Sequence, residues 1–437
     1  MELNISPIDN RYKHKCDLLR EYVSDFGFNK IRYEVELKYF AFLLKLIYNK
    51  NVSFNHLIDE FSVSDLKSIR EIESKTNHDV KSIEYFIKNQ LVENNKFNDL
   101  VKYKELIHFA LSSQDINSVA NTILLKRSIE MVIIPKIKNI ISKLEEYSIK
   151  WEKSVMMSKT HGQPAVTTSM GKEIKVFNER LKRQLTLLTK FNYTTKFGGA
   201  VGNLNAHYFC YDKINWDNRF NDFLIENFDL TRNRYTTQID HYDNFSEIFD
   251  IIKRINIILI DLNQDFWTYI SQNYFIFEKK DKEVGSSTMP HKINPINFEN
   301  AEGNLLYTNS ILEFFSRKLP ISRLQRDLTD STVLRNIGVV FGHIELSFNN
   351  IRKGLQKLII NNTEITKDLN NNQMIISEAI QIILKKYGYK NSYEKMKEFT
   401  RKNEQINKEM INLFVLSLDV KQEIKEKIIN LNVEDYI

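Results

Sequence analysis

The sequence predicts an all-α protein built largely from long helices, and three observations support this fold class. Only 6 Pro and 12 Gly occur in 437 residues, so few positions demand a turn. Between residues 121 and 147 apolar side chains recur every three or four positions, which is the period of an amphipathic helix. No convincing alternating strand or βαβ unit interrupts the helical segments. We therefore expect helices packed into a bundle.

The predicted helices differ in what they bury. Residues 121–147 contain Pro135, which lacks a backbone N–H and predicts a kink. Residues 245–274 are apolar on nearly every side, so we expect this helix inside the bundle. Further helices are predicted over 298–317 and 333–358. Candidate N-caps for the last of these are Asp330, Ser331 and Thr332.

A long polar loop separates two of these helices. Residues 278–297 read EKKDKEVGSSTMPHKINPIN and cannot bury themselves, and loops of this length usually have a functional reason. The sequence marks the other domain boundaries less sharply. We expect an N-terminal helical domain over 1–104, a central long-helix bundle over 105–355 and a C-terminal helical domain over 356–437.

Composition excludes several classes of protein. The 62 basic and 56 acidic residues are spread along the chain, which argues against a nucleic-acid-binding tail and leaves a mild bias toward anionic ligands. Cys16 and Cys210 have neither CxxC spacing nor a secreted context, so a disulfide framework and a cysteine metal site are not expected. The N-terminus lacks the apolar core of a signal peptide, and no stretch of about 18 apolar residues follows. We expect a soluble, cytoplasmic protein.

The polar loop carries the most specific motif. Residues 285–295, GSSTMPHKINP, resemble the GSSxMPxKxNP signature of the fumarase and aspartase superfamily, whose members eliminate fumarate from succinyl-containing substrates. The resemblance places the catalytic base at Ser286 and assigns a substrate carboxylate to Lys292 and Asn294. Lys292 would act as a point charge and Asn294 through neutral hydrogen bonds.

The chemistry of such an elimination is consistent with these residue types. Breaking a carbon–nitrogen bond in this way needs a base for a weakly acidic C–H, stabilisation of the dianion that forms, and an acid for the leaving nitrogen. A serine can be the base only if its alkoxide is stabilised. Backbone N–H groups of a Gly-rich loop and a nearby ammonium can supply that field in a closed site.

A second segment supplies the candidate acid. Residues 158–164, SKTHGQP, resemble the superfamily's TKTHGQPA form, with Ser158 where that form has Thr. The resemblance makes His161 the general acid, a role that suits histidine because its ordinary pKa lies near neutrality. Glu299 matches the acidic partner that orients this histidine. Thr160 is expected to contact a substrate carboxylate.

Most of the remaining candidates would bind the nucleotide end of a larger substrate. Segments such as SPIDNRY, FALSSQDIN, GGAVGNLNAH and RLQRDLTDSTVLRN resemble the bacterial-type branch of the adenylosuccinate lyase family, and the resemblance covers almost the whole chain. A substrate with two carboxylates and a phosphate needs several cations, preferably arginines that bind bidentately. The substrate-binding positions so assigned are Arg11, Tyr12, His78, Asp79, Gln238, Asn300, Arg326, Ser331 and Arg335. The same resemblance assigns Ser112 and Ser113, like Thr160, to the succinyl carboxylates.

The resemblance implies a complete reaction and assembly. Fumarate would leave adenylosuccinate to give AMP, and the same step would act on the succinyl-carboxamide ribonucleotide of purine synthesis. It implies a three-domain fold whose central bundle forms the core of a homotetramer. Each active site would gather segments from three subunits, without a metal or organic cofactor and without nucleic acid or membrane partners.

Three alternatives remain open at the level of sequence. Another lyase of the superfamily would act on argininosuccinate, aspartate or malate, but Arg11, Arg326 and Arg335 argue against those smaller substrates. A noncatalytic scaffold, like the superfamily's lens crystallins, is disfavoured because the candidate catalytic residues are intact. Nucleic-acid binding, suggested by a pI near 8.8, is disfavoured because the charge is dispersed.

Overall fold

A computed structural model describes residues 4–278, 289, 291–402 and 406–437. Helices dominate these residues, so the predicted all-α class is confirmed. Short 3-10 turns join several of them. The α-helices of the described residues are α1 Asp17–Val23, α2 Asp25–Tyr48, α3 Asn55–Asp59, α4 Val63–Thr76, α5 Asp79–Glu93, α6 Ser113–Ser128, α7 Ile134–Lys150, α8 Met170–Thr189, α9 Asn205–Cys210, α10 Trp216–Phe228, α11 Asp243–Ser271, α12 Ile296–Lys318, α13 Thr329–Leu334, α14 Ile337–Gln356, α15 Asn362–Asn371, α16 Ser377–Lys386, α17 Ser392–Lys402, α18 Lys408–Ser417 and α19 Gln422–Ile429.

Six short strands form three two-stranded sheets in the described part of the chain. Pairing is antiparallel for β1 with β2 and for β5 with β6, and parallel for β3 with β4. The expectation that no strand interrupts the helices was therefore wrong. Four of the six strands have three residues each, too few for an alternating pattern to be visible in the sequence. The strands are β1 Val155–Thr160, β2 Gln163–Ser169, β3 Thr194–Lys196, β4 Thr231–Asn233, β5 Phe275–Phe277 and β6 Leu358–Ile360.

The chain divides into two compact units. Unit 1 comprises Met1–Lys138, Arg183–Ile257 and Ala301–Asn349, and unit 2 comprises Asn139–Lys182, Ile258–Asn300 and Asn350–Ile437. In unit 1, aromatic rings of α2, α10 and the segment after β3 pack into a buried core around Tyr39, Phe197 and Phe220. The division at residues 104 and 355 stays a prediction.

Three of the predicted long helices are present. The segment 245–274 corresponds to α11 and the segment 298–317 to α12. The segment 121–147 corresponds to α6 and α7, which are joined by a π-helical turn over Ile129–Ile133. Pro135 is the second residue of α7, so the irregularity of this helix lies close to the position where proline removes a donor.

The predicted helix over 333–358 was wrong in its bounds. The segment is divided between α13, which ends at Leu334, and α14, which begins at Ile337, and its end forms strand β6. The capping prediction was also wrong, because α13 begins earlier, after Leu328. The carboxylate of Asp327 instead accepts a hydrogen bond from the Thr329 N–H at 2.9 Å. Asp330, Ser331 and Thr332 therefore lie within the helix.

Unit 2 contains a second hydrophobic core in its C-terminal part. Leu369, Ile380, Leu384 and Val415 from three helices pack there, together with Met157 of β1. This core anchors the β1–β2 hairpin, which carries one of the candidate motifs. Among the described residues, no helix is both long and apolar enough to span a bilayer.

Candidate active site

Two adjoining cavities in unit 1 collect many of the predicted residues. The larger has a volume of about 490 Å³ and the smaller about 300 Å³. The larger is lined by His78, Asp79, Ser113, Arg326, Ser331 and Arg335. The smaller is lined by His78, Ser112, Ser113, Gln238 and Arg326. Because His78, Ser113 and Arg326 line both, the two cavities share a wall.

Arg326 is held on this shared wall by three neighbours. Its Nη2 donates to Ser331 Oγ at 3.0 Å, and its Nη1 donates to Gln238 Oε1 at 3.4 Å. Its Nε lies 3.9 Å from Asp330 Oδ1. A guanidinium has five N–H donors, so each terminal nitrogen keeps one N–H for a ligand. Such a pair matches the two oxygens of a carboxylate or phosphate.

Arg335 lines the larger cavity and is exposed. Among the described residues, the Arg335 guanidinium has no hydrogen bond or ion pair, whereas Arg32 and Arg70 on the same wall are paired with Asp79 and Asp25. An unpaired guanidinium in the same cavity lining as Arg326 makes the cavity attractive to an anion.

His78 caps helix α5 and faces Ser113. Its Nδ1 accepts a hydrogen bond from the Lys81 N–H at 3.2 Å, so in this arrangement the proton lies on Nε2. Nε2 is 3.5 Å from Ser113 Oγ. The Nε2–H of His78 and the hydroxyl of Ser113 can therefore donate hydrogen bonds to the same ligand group.

Asp79 is engaged with an arginine that the sequence analysis missed. Its Oδ2 accepts from Arg32 Nη2 at 2.7 Å, and Arg32 is almost completely buried. Burial alone raises the pKa of the Asp79 carboxyl, but the charge of Arg32 and the hydrogen bonds from Arg32 and the Val80 N–H together outweigh burial and hold this pKa below its usual value. Asp79 thus orients Arg32, which also donates through Nε to Asn117 Oδ1 at 2.9 Å.

Ser112 is tied to a fully buried ion pair. Its N–H and hydroxyl both donate to Asp115 Oδ2, at 2.7 and 3.0 Å. Asp115 Oδ1 lies 2.7 Å from Lys196 Nζ, neither side chain is exposed, and the N–H groups of Gly198 and Gly199 also donate to Oδ1. Burial opposes ionisation of Asp115, but Lys196 and these donors outweigh it and lower its pKa. The network fixes the start of α6 and thereby the neighbouring Ser113.

The two serines are therefore expected to differ. Ser113→Ala should lower kcat/KM by about 10- to 100-fold, since its hydroxyl is available to a charged substrate group. Ser112→Ala removes a helix cap and should cost about 0.5–2 kcal/mol of stability, with a smaller change in kcat/KM. Steady-state kinetics and urea unfolding of both variants check this, and equal kinetic losses with equal stability would contradict it.

His108 is a further cavity residue that the sequence analysis missed. It lines the smaller cavity, and its Nδ1 lies 2.6 Å from Oε1 of the fully buried Glu36. Burial alone lowers the pKa of His108, but the charge and hydrogen bond of Glu36, together with the charges of Glu84 and Asp115, outweigh burial and raise this pKa. The backbone φ of His108 is 59°, a left-handed conformation that non-glycine residues seldom adopt and that clusters at functional sites.

In unit 2, the candidate acid lies at the tip of the β1–β2 hairpin. Thr160 pairs with Gln163, so His161 and Gly162 form a two-residue loop. Their φ values of 54° and 75° match a type I′ turn, in which both central residues need positive φ. The imidazole is exposed at this tip. A dipeptide ending in Gly between two apolar runs was the signal that could have predicted the turn.

A β-bulge shapes the hairpin just before this tip. The register shifts between Met157 and Lys159. The intervening Ser158 donates its hydroxyl to Val166 O at 2.6 Å and accepts from Val166 N–H at 3.3 Å. The hydroxyl at position 158 thus satisfies backbone groups that the bulge removes from the ladder.

The other candidates of unit 2 lie around the start of α12. Glu299 Oε1 accepts from the indole Nε1 of Trp267 at 3.0 Å, and no hydrogen bond between described residues joins Glu299 to His161. Asn300 Oδ1 accepts from Asn350 Nδ2 at 2.6 Å. Lys292 is exposed and Asn294 is half-buried. Ser286 lies outside the described residues, as do Gly285, Ser287, Thr288 and Pro290.

Arg11 and Tyr12 lie before α1, away from the described linings of both cavities. Arg11 is exposed, and its guanidinium carbon is 6.0 Å from the centre of the Tyr12 ring. Within unit 1, most of the candidates line the pair of cavities, and within unit 2 the described candidates lie at the tip of the β1–β2 hairpin and around the start of α12.

Two family models match the chain. The one described as "Adenylosuccinate lyase C-terminal" matches residues 322–437, and the one described as "Lyase" matches residues 44–306. The adenylosuccinate lyase of Dictyostelium discoideum is 46% identical over 448 residues, covering 99% of this chain and 96% of that protein. The adenylosuccinate lyase of Buchnera aphidicola subsp. Acyrthosiphon pisum is 42% identical over 442 residues, with the same coverage.

A solved structure extends the comparison to the fold. The fumarate lyase from Mesorhizobium sp. BNC1 superposes with a TM-score of 0.76 over 96% of this chain and 95% of that one. Because the two sequences are only 14% identical, this likeness concerns the fold alone. Together with the full-length relatives, it confirms the predicted resemblance. The chain belongs to the adenylosuccinate lyase family, within the fumarase/aspartase superfamily.

Proposed function

We propose that this chain removes fumarate from adenylosuccinate by β-elimination and leaves AMP. The observation that carries the proposal, beside the family, is the wall of the larger cavity. Arg326 keeps two N–H groups for a ligand there, and Arg335 is unpaired among the described residues. A nucleotide with a phosphate and two carboxylates is the kind of anion that such a wall favours.

The phosphate end would lie against Arg326, Ser331 and Arg335. Ser331 already accepts a hydrogen bond from Arg326, and its own hydroxyl hydrogen can donate to a phosphate oxygen. Gln238 would hold Arg326 and contact the substrate from the smaller cavity. Arg11 and Tyr12 would reach the nucleotide from another subunit or after a movement of the N-terminal segment.

The succinyl end would be clamped by hydroxyl and cationic groups. Ser113, with His78 beside it, would donate to one carboxylate. Thr160, Lys292 and Asn294 would hold the other. Lys292 and Asn294 belong to the segment that carries the superfamily signature, and their contacts with a carboxylate would be strongest in a site that excludes water.

The chemical step needs one base and one acid. The alkoxide of Ser286 would take a β proton of the succinyl group, and the electron pair would delocalise into the adjacent carboxylate. Collapse of that dianion would form the C=C bond of fumarate and break the C–N bond. His161 would donate its proton to the departing amino nitrogen. No metal or organic cofactor enters this sequence of steps.

Glu299 would orient His161, although the two are not hydrogen-bonded within one chain. His161 is exposed at the tip of its hairpin, and Glu299 is exposed at the start of α12. Both are thus available to a second copy of the chain, as expected if each site takes its segments from three subunits.

A homotetramer would supply those copies. The long helices α11 and α12 leave several large apolar side chains exposed, and soluble proteins usually cover such side chains in an interface. These are Ile257 and Trp267 on α11 and Leu306, Tyr307 and Phe314 on α12. We propose that these helices form the tetramer core, and that the enzyme works in the cytoplasm.

The same site would accept the succinyl-carboxamide ribonucleotide of purine synthesis. That compound shares the nitrogen-bound succinyl group and the ribose phosphate, so it presents the same anions to the same residues. The two substrates differ in the ring and in the leaving nitrogen, which is an amine on the purine and an amide in the carboxamide.

A comparison of substrates tests the proposal against its rivals. Purified protein is assayed for the formation of fumarate from four substrates: adenylosuccinate, argininosuccinate, aspartate and malate, the last of which would form fumarate by dehydration. We expect kcat/KM for adenylosuccinate to exceed the others by at least about 10³-fold, since the smaller substrates leave the cation wall unpaired. Turnover of argininosuccinate or aspartate alone would identify a sister lyase, and turnover of none would indicate a noncatalytic scaffold.

A further inference from the structure

We propose that Tyr242 and Asp330 are positioning residues, which together fix the guanidinium of Arg326 for the phosphate of the nucleotide. The inference rests on the proposed function. It concerns a buried contact in the lining of the larger cavity, between two residues to which the proposed function assigns no substrate group.

The contact consists of a phenol and a carboxylate withdrawn from solvent. Tyr242 OH donates to Asp330 Oδ2 at 2.9 Å. Tyr242 is 1% exposed, and the side chain of Asp330 is 4% exposed. Burial raises the pKa of Tyr242, and the charge of Asp330 raises it further. The phenol therefore remains a neutral donor, and it satisfies only one of the two carboxylate oxygens.

The second carboxylate oxygen points toward Arg326. Asp330 Oδ1 has no hydrogen-bond partner in the described structure and lies 3.9 Å from Arg326 Nε, which likewise has none. Two buried, unpartnered and oppositely charged atoms at this distance need only a small movement to form a charge-assisted hydrogen bond. A hydrogen bond from Arg326 Nε to Asp330 Oδ1 would fix that side of the guanidinium. The remaining N–H groups of Nη1 and Nη2 would stay available to an anion.

The backbone at Tyr242 supports a specific role for this side chain. Its φ is 56°, a left-handed conformation that is costly for a bulky residue. The strain is held by neighbouring contacts, since Tyr242 N–H donates to Asp240 Oδ1 at 2.9 Å and Tyr242 O accepts from Ser246 N–H at 3.0 Å. This geometry turns the ring at the start of α11 so that its hydroxyl reaches Asp330.

Tyr242, Asp330 and Arg326 thus form a series of contacts in the lining of the larger cavity. Tyr242 fixes Asp330, Asp330 fixes the Nε side of Arg326, and Ser331 and Gln238 fix its terminal nitrogens. Removing the Tyr242 hydroxyl should therefore make the Arg326 guanidinium less well fixed, without removing any group that is proposed to contact the substrate.

The test is Tyr242→Phe, which removes only the hydroxyl. We expect KM for adenylosuccinate and the inhibition constant of AMP to rise about 10-fold each, while kcat and the inhibition constant of fumarate change less than about twofold. This split follows because only the nucleotide end contacts Arg326. Asp330→Asn, which keeps the shape and loses the charge, should weaken AMP similarly.

Tyr33→Phe is the matched control. Tyr33 is equally buried in unit 1 and donates to Gln90 Oε1 at 2.5 Å, outside the linings of both cavities. It should leave both inhibition constants unchanged. Equal weakening of AMP and fumarate in Tyr242→Phe, or an unchanged AMP constant in both cavity variants, would overturn the inference. No turnover by the wild-type protein would overturn the proposed function, and the inference with it.

Discussion

His161→Ala is expected to lower kcat by about 10²- to 10⁴-fold, the range that a positioned general acid contributes. The reason is the leaving group, because an amino nitrogen departs as an anion unless a proton reaches it in the transition state. His161 lies at an exposed hairpin tip and contributes to no buried core, so the variant should fold and assemble normally. Steady-state kinetics with adenylosuccinate measure kcat, and size-exclusion chromatography measures assembly.

His56→Ala is the matched control for this variant. His56 is also exposed, and it stacks on Phe97 at the start of α3 rather than lining either cavity. Its kcat should equal that of the wild type.

Ser286→Ala should be as inactive as His161→Ala, since base and acid serve the same elimination. A near-normal kcat in His161→Ala would show that another group protonates the amine.

Lys196→Ala is expected to destabilise the protein by about 3–5 kcal/mol, because it leaves Asp115 buried without its counter-ion. Both side chains are fully buried, and Asp115 also holds the N–H groups of Ser112, Gly198 and Gly199. Urea unfolding at fixed protein concentration measures the loss. Activity should fall together with stability, since the same network holds the start of α6 and Ser113.

Lys175→Ala is the control for this effect. Lys175 pairs with Glu145 at 2.5 Å but is 41% exposed, and surface pairs of this kind contribute about 0–1 kcal/mol. The double variant Lys196→Met with Asp115→Asn should recover part of the loss, because it removes the uncompensated charge. A loss below about 1 kcal/mol in Lys196→Ala would contradict the role assigned to the pair.

The long helices could be predicted because their apolar residues repeat along the chain itself. The break at Arg335 and Asn336 could not, since α13 and α14 are both helical and neither Pro nor Gly separates them. The hairpin was missed although His161 and Gly162 carried a turn signal, because the segment was interpreted by its motif and not by its backbone.

The site shows a similar limit. Arg326, Ser331 and Arg335 could be predicted because they belong to one short motif, and the structure places all three on one cavity. Arg32 and Lys196 were missed because their partners are distant in sequence. Arg32 is 47 residues from Asp79, and Lys196 is 81 residues from Asp115, so only folding brings the charges together.

The most direct test of the central claim is the product balance with adenylosuccinate as the only substrate. Purified protein is incubated with it, and chromatography measures AMP and fumarate as the substrate disappears. We predict one AMP and one fumarate for each adenylosuccinate consumed. His161→Ala should form both products more slowly than the wild-type protein. Consumption without equal amounts of both products, or no consumption at all, would contradict the assignment of this chain as the enzyme of that elimination.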